Sequence, residues 1–213
     1  PLRRLRSEVS RDQEIEKILN SYPALILDSS LWFFRLRINP VDPNNIEEFD
    51  SPPLEIAKKS TGRFDSNNET VLYGSSDLDT CIHECKVTSK DEVYIAMLEP
   101  TKSLRVLDLS IHYDDGLDEF ESLDESLAML FNAGEHSYPI TQRLAQLAFE
   151  RGYEGIIYPS FYTNVRLGID PIETVYGIST RRIPEFKQMH EGRVIENIVL
   201  FGRPIAEGKI RPK

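Results

Sequence analysis

Three segments carry residue types that could do chemistry. The first is Phe33-Phe34-Arg35-Leu36-Arg37, an arginine inside an aromatic strand. The second is Gly62-Arg63-Phe64, followed by Val71-Leu72-Tyr73 and then Asp79-Thr80-Cys81-Ile82-His83-Glu84. The third is Gly152-Tyr153-Glu154-Gly155-Ile156-Ile157-Tyr158-Pro159-Ser160. Arginine stays charged and presents a rigid fork suited to phosphate or carboxylate. Arg35 lies on the strand face opposite Phe34 and Leu36, and Arg63 follows a glycine in a loop. On a helical wheel Glu84 falls at the edge of the buried stripe, where a carboxylate can line a cleft. Tyr73 ends a strand just before that helix, and Ser160 follows Pro159 at the end of a buried strand. Each also has an ordinary reading: a solvated helix glutamate, strand arginines paired with surface acids, a core tyrosine, a turn serine. Arg37 reads as such a strand arginine. No histidine stands in a recognisable pairing with Ser160, so it is not a nucleophile. Cys81, His83, Glu84 and Cys85 invite a metal reading. On a helix, however, His83 points away from the two cysteines, and no second Cys pair exists, so no metal site is expected. The cysteines read as small core hydrophobes.

In order and spacing, the three segments together resemble the RES-domain family, toxins of bacterial toxin–antitoxin pairs named for Arg, Glu and Ser. The resemblance runs from about Trp32 to Phe201, with Asn197-Ile198-Val199-Leu200-Phe201 as a further match. It implies an α+β fold related to the ADP-ribosyltransferases, with a mixed or antiparallel split sheet and flanking helices. It also implies NAD+ as substrate, with no separate cofactor. Carried over residue by residue, the family's first arginine falls on Arg35, its second on Arg63, its tyrosine on Tyr73, its glutamate on Glu84 and its serine on Ser160. In that assignment Arg35 and Arg63 hold the dinucleotide and Tyr73 packs the nicotinamide end. Glu84 stabilises the ribosyl cation, and Ser160 completes the pocket. Glycosidic cleavage passes through an oxocarbenium-like state, which a fixed carboxylate stabilises. The implied activity is NAD+ degradation by water or phosphate. Transfer of ADP-ribose to a macromolecule and a non-catalytic NAD-binding module are the alternatives. The family context also implies a helix-turn-helix, Xre-like antitoxin and a homodimer. Two departures bear on loop-borne specificity: the polar segment Asp65-Ser66-Asn67-Asn68-Glu69 and the long acidic insertion around Asp114 to Glu125.

These residues need elements to hold them. A helix over residues 10–20, capped by Ser10, opens the chain. Strands are expected at Leu31–Ile38, Val71–Tyr73, Val93–Leu98, Leu104–Leu109, Gly155–Tyr158, Glu173–Ile178 and Asn197–Phe201. A helix near Asp77–Val87, capped by Ser76, buries Leu78, Cys81, Ile82 and Cys85. Helices near Leu123–Phe131 and Ile140–Arg151 follow, the second closed by Gly152. The long connection Asn39–Ser60 carries four prolines and reads as functional or mobile. Strands outnumber helices without strict alternation, which gives an α+β fold with a mixed or antiparallel sheet. Residues 1–21 read as a helical appendage and 22–213 as the catalytic domain.

The chain has 213 residues, 25 Lys and Arg against 35 Asp and Glu, and a formal net charge of −10. That acidity argues against sequence-independent binding to nucleic acid or to an anionic membrane. From Asp108 to Glu135 there are nine acids and no Lys or Arg, whereas Arg181–Lys213 holds eight Lys and Arg against four Glu. No apolar run is long enough to cross a membrane as a helix, and no signal peptide is evident. Two cysteines make no disulfide framework, so a reducing cytoplasm is the expected compartment. The start at Pro1 rather than Met reads as a trimmed chain. No Gly-x-Gly-x-x-Gly, phosphate-binding Gly-x-x-x-x-Gly-Lys or Gly-x-Ser-x-Gly motif is present.

Overall fold

Near-continuous burial along the middle strands dictates a sheet covered on both faces. A computed structural model describes residues 8–57, 62–65, 69–113, 122–163, 174–175, 178–180, 183–186 and 194–213. Helix α1 (Glu8–Ser21) leads into β1 (Ala24–Leu27) and β2 (Phe33–Ile38). A 3-10 turn (Ile46–Phe49) and the four-residue α2 (Leu54–Ala57) precede β3 (Val71–Ser75) and α3 (Leu78–Glu84). Then come β4 (Val93–Pro100), β5 (Leu104–Asp108), α4 (Leu123–Asn132), α5 (Tyr138–Glu150) and β6 (Gly155–Pro159). The small strands β7 (Thr174–Val175) and β8 (Ile178–Ser179) pair with each other, and β9 (Glu196–Phe201) and β10 (Ile210–Pro212) complete the main sheet.

The main sheet has the order β1-β5-β6-β9-β3-β2-β4-β10. All its neighbours are antiparallel except β5 and β6, which are joined by a crossover through α4 and α5, as parallel strands require. This is the expected α+β class with a mixed sheet. On one face Val71, Ile156, Val199 and Phe201 pack with Ile15, Ile18, Leu127 and Leu144 of the helices. On the other face, Leu72, Ile157, Ile198 and Leu200 pack with Phe33, Leu98 and Ile210. The period-2 alternation of strands thus feeds two cores. Helix α1 contributes Ile15 and Ile18, both at 0% exposure, to the first of them. It is also ion-paired to α5 through Asp12 and Arg143 at 2.5 Å.

Several local expectations are corrected. Helix α1 starts at Glu8, so Ser10 lies inside it rather than capping it. Asp77, not Ser76, caps α3: its carboxylate accepts from the Thr80 amide and hydroxyl, both at 2.8 Å. That rotates Thr80 into the interior beside Cys81, while α3 ends at Glu84 and leaves Cys85 exposed. The Pro-bearing connection is anchored at Phe49–Ser51, although Val41 and Ile56 are exposed. Phe49 is buried, and the Asp50 carboxylate accepts from the amides of Ile205 and Ala206. The candidate strand Glu173–Ile178 is two short strands, with Glu173 outside the described residues. Also outside them are residues 66–68 of the polar segment and 114–121 of the acidic insertion. The edge strands β1 and β10 were not anticipated: β1 is four residues long, and β10 is three residues ending in Pro212, a residue tolerated only at edges. Gly152 closes α5 with φ +77°, as expected.

At Gly155 the β6 backbone lies so close to β9 that an added Cβ would sit 2.2 Å from the Val199 carbonyl oxygen. Backbone cannot yield there as a side chain could. Gly155→Ala is expected to cost about 3 kcal/mol in urea denaturation. A loss under about 1 kcal/mol would show that the two strands separate easily.

Candidate active site

The site begins where the sheet opens. β2 pairs with β4, and β3 with β9, along the whole of β2 and of β3, but β2 meets β3 only at Phe34 opposite Ser75. The Arg35 side chain fills the gap. Its Nε donates to the Phe49 carbonyl at 3.2 Å and its Nη1 to the Tyr73 carbonyl at 2.8 Å. Burial, aided by the charge on neighbouring Arg37, lowers its pKa to about 10, so it remains a cation at neutral pH. Arg37 turns elsewhere, donating to the Glu48 carbonyl at 2.6 Å and to the Asp50 carbonyl, and it takes no part in the cavity.

Arg63 approaches from the opposite side. Its guanidinium donates to the carbonyls of Leu130 at 3.1 Å and Ala133 at 3.2 Å, the carbonyl-rich end of α4, and lies 5.2 Å from the Tyr138 ring centre. The loop itself is held by Gly62, whose amide donates to the Asp65 carboxylate at 3.0 Å. A Cβ at Gly62 would lie 2.4 Å from that same oxygen. The Tyr73 hydroxyl accepts from the Phe64 amide at 2.9 Å, fastening the loop to β3. Burial raises the pKa of the Tyr73 phenol well above its ordinary value, so it stays neutral. Tyr73→Phe leaves the Phe64 amide without that acceptor. An expected loss of about 1–2 kcal/mol, read by denaturant melting, measures the fastening.

Glu84 closes the arrangement from the end of α3. It is exposed, at the cavity mouth, yet its Oε1 accepts from Ser160 Oγ at 2.9 Å and from Asn197 Nδ2 at 2.8 Å. Ser160 is 1% exposed and does not line the cavity; it reaches the site through Glu84. The cavity, of about 320 Å³, is lined by Arg35, Arg63, Tyr73, Glu84, Tyr158 and Asn197 among others. The structure therefore brings four of the five expected residues to one cavity and sets the fifth behind it.

Asn197 and Tyr158 were missed as site residues. They stand opposite each other on β9 and β6, and each sits within a run that reads as apolar core. One available signal was that Asn197 is the polar residue, beside Glu196, that opens such a run. Burial, then the charge of Glu84, raises the pKa of the Tyr158 hydroxyl, and the charge of Arg63 and a hydrogen bond with Asn197 partly offset this. Cys81 and Cys85 also face the cavity. Burial pushes the Cys81 thiol up to about 12 and raises Cys85 as well, so neither is a thiolate at neutral pH. His83 is exposed and stacks on Tyr162, ring centres 5.2 Å apart. Among the described residues no group of three or more His, Cys, Asp or Glu could hold a metal ion, and no helix is long and apolar enough to cross a membrane.

Chemically, the cavity joins two fixed cations, a carboxylate anchored by neutral donors, and aromatic walls. Such a set suits an anionic ligand that develops positive charge at one point. No curated protein matches the sequence. A chain of the M. tuberculosis MbcT–MbcA toxin–antitoxin complex is similar in structure, with 12% identity, a TM-score of 0.48, and coverage of 93% of this chain and 85% of that one. The model of the RES domain matches residues 37–204, a span that holds Arg63, Tyr73, Glu84 and Ser160 and begins two residues after Arg35. Since that match covers most of its length, this chain belongs to the RES domain family.

Proposed function

We propose that this protein is a toxin that consumes NAD+ by cleaving its nicotinamide–ribose bond. The observation that carries the reading is the anchored Glu84 carboxylate at the mouth of a cavity that two arginines also line. Arg35 and Arg63 attract the diphosphate, and Tyr73 and Tyr158 offer aromatic surface to the nicotinamide end. As the C–N bond breaks, its electron pair leaves with nicotinamide and positive charge grows on the ribose. Both hydrogen bonds to Glu84 fall on Oε1, which leaves Oε2 for that charge. Water attack then gives ADP-ribose and a proton, and phosphate attack gives ADP-ribose phosphate. Family membership supports a helix-turn-helix antitoxin as the partner, seated over the cavity.

Mass analysis of NAD+ incubated with the protein, with and without phosphate, tests this. Nicotinamide appearing with ADP-ribose or its phosphate is expected. Label transferred from NAD+ to a macromolecule would replace degradation by ADP-ribosyl transfer, and binding without consumption would sink the enzyme reading. Added antitoxin is expected to suppress turnover.

A further inference from the structure

Resting on that functional reading, we propose that Asn197 is a positioning residue for the reaction: its amide acts with Ser160 to fix the orientation of the Glu84 carboxylate. Asn197 is 4% exposed, and the four residues after it in β9 are buried and apolar. An amide so placed is costly unless hydrogen-bonded. Here its Nδ2 donates to Glu84 Oε1 at 2.8 Å, and its side chain also hydrogen-bonds the Tyr158 hydroxyl.

The support is rigid. Asn197 lies opposite Ser75 of β3 and Tyr158 of β6, so strands on both sides hold its backbone. Ser160, just past the end of β6, brings its hydroxyl to the same carboxylate oxygen at 2.9 Å and accepts at 3.2 Å from the Tyr162 amide. Glu84, by contrast, ends a seven-residue helix and is exposed. Without these contacts its long side chain would sample several rotamers. Two donors arriving from different elements hold that oxygen in place and so restrict where the other carboxylate oxygen can turn. Both donors are neutral, so the negative charge that a cationic transition state needs is preserved. A lysine or arginine here would hold the carboxylate equally well and cancel that charge.

The test is Asn197→Leu, near-isosteric and in keeping with the apolar residues of β9. The kcat for nicotinamide release is expected to fall about 10–100-fold with KM changed less than about twofold. In a Glu84→Gln background the same substitution is expected to change kcat by less than about twofold, because there is no carboxylate left to aim. Equal losses in both backgrounds, a loss confined to KM, or wild-type kcat overturns the proposal. A crystal structure of the variant reads it independently of turnover: Glu84 is expected to leave its present rotamer, and an unmoved carboxylate overturns it. If Asn197→Leu does not fold, Asn197→Ser, too short to reach Glu84, takes its place. A wild-type protein that releases no nicotinamide defeats the functional reading alone, and the rotamer then decides the role of Asn197.

Discussion

Replacing Glu84 by alanine is expected to lower nicotinamide release about 100–1000-fold and to cost about 1–2 kcal/mol of stability. The size follows from what one preorganised charge contributes to a charged transition state. The stability cost is set by the partners. Glu84 itself is exposed at the last residue of α3, but Ser160 and Asn197 are buried, and both lose the acceptor that the carboxylate provides. Glu84→Gln keeps size and hydrogen-bonding shape but removes the charge, so it is expected to lose nearly as much activity as alanine. If glutamine retained most of the rate, the carboxylate would be acting through shape, and electrostatic stabilisation of a ribosyl cation would be the wrong mechanism. The comparison is made by initial rates of nicotinamide release at saturating NAD+.

Much of this site was legible in the sequence, because its members lie on short local patterns. A glycine before Arg63, a strand before Tyr73, and a helix that exposes Glu84 at the rim of its apolar stripe can each be read within a few residues. What links the three is their resemblance in order and spacing to the RES family, and the structure places all of them on one cavity. What could not be read depends on pairing between distant strands. Asn197 meets Glu84 across 113 positions of chain, and its partner Tyr158 looks like core until β6 and β9 are laid side by side. The sheet opening between β2 and β3 is likewise a property of register, since nothing in Phe33–Ile38 alone says that pairing stops after Phe34. The cap of α3 shows a finer limit. Ser76 and Asp77 are both good N-caps, and only the backbone at Asp77, with φ −122° and ψ 129°, decides between them. Glu48 and Asp50 show another: they receive Arg37 through their carbonyls, which a sequence cannot distinguish from pairing with their acids.

The same contrast between Arg35 and Arg37 yields the second large effect. Arg35→Lys is expected to raise the KM for NAD+ about tenfold or more and to destabilise the fold by about 2 kcal/mol. A lysine ammonium cannot span the Phe49 and Tyr73 carbonyls as the guanidinium does, so one buried carbonyl loses its partner and the sheet opening loses its brace. The charge is kept, but the fork that could face a diphosphate is lost. Arg37→Lys is the internal comparison. It breaks an arrangement of the same kind, two backbone carbonyls held by one guanidinium, but outside the cavity. Its cost is therefore expected in stability alone, with KM unchanged within about twofold. Urea denaturation and NAD+ titration of both variants separate bracing from binding. If the two lysine variants raised KM equally, Arg35 would serve the dinucleotide only by holding β2 and β3 in place, and the direct phosphate contact would have to come from Arg63.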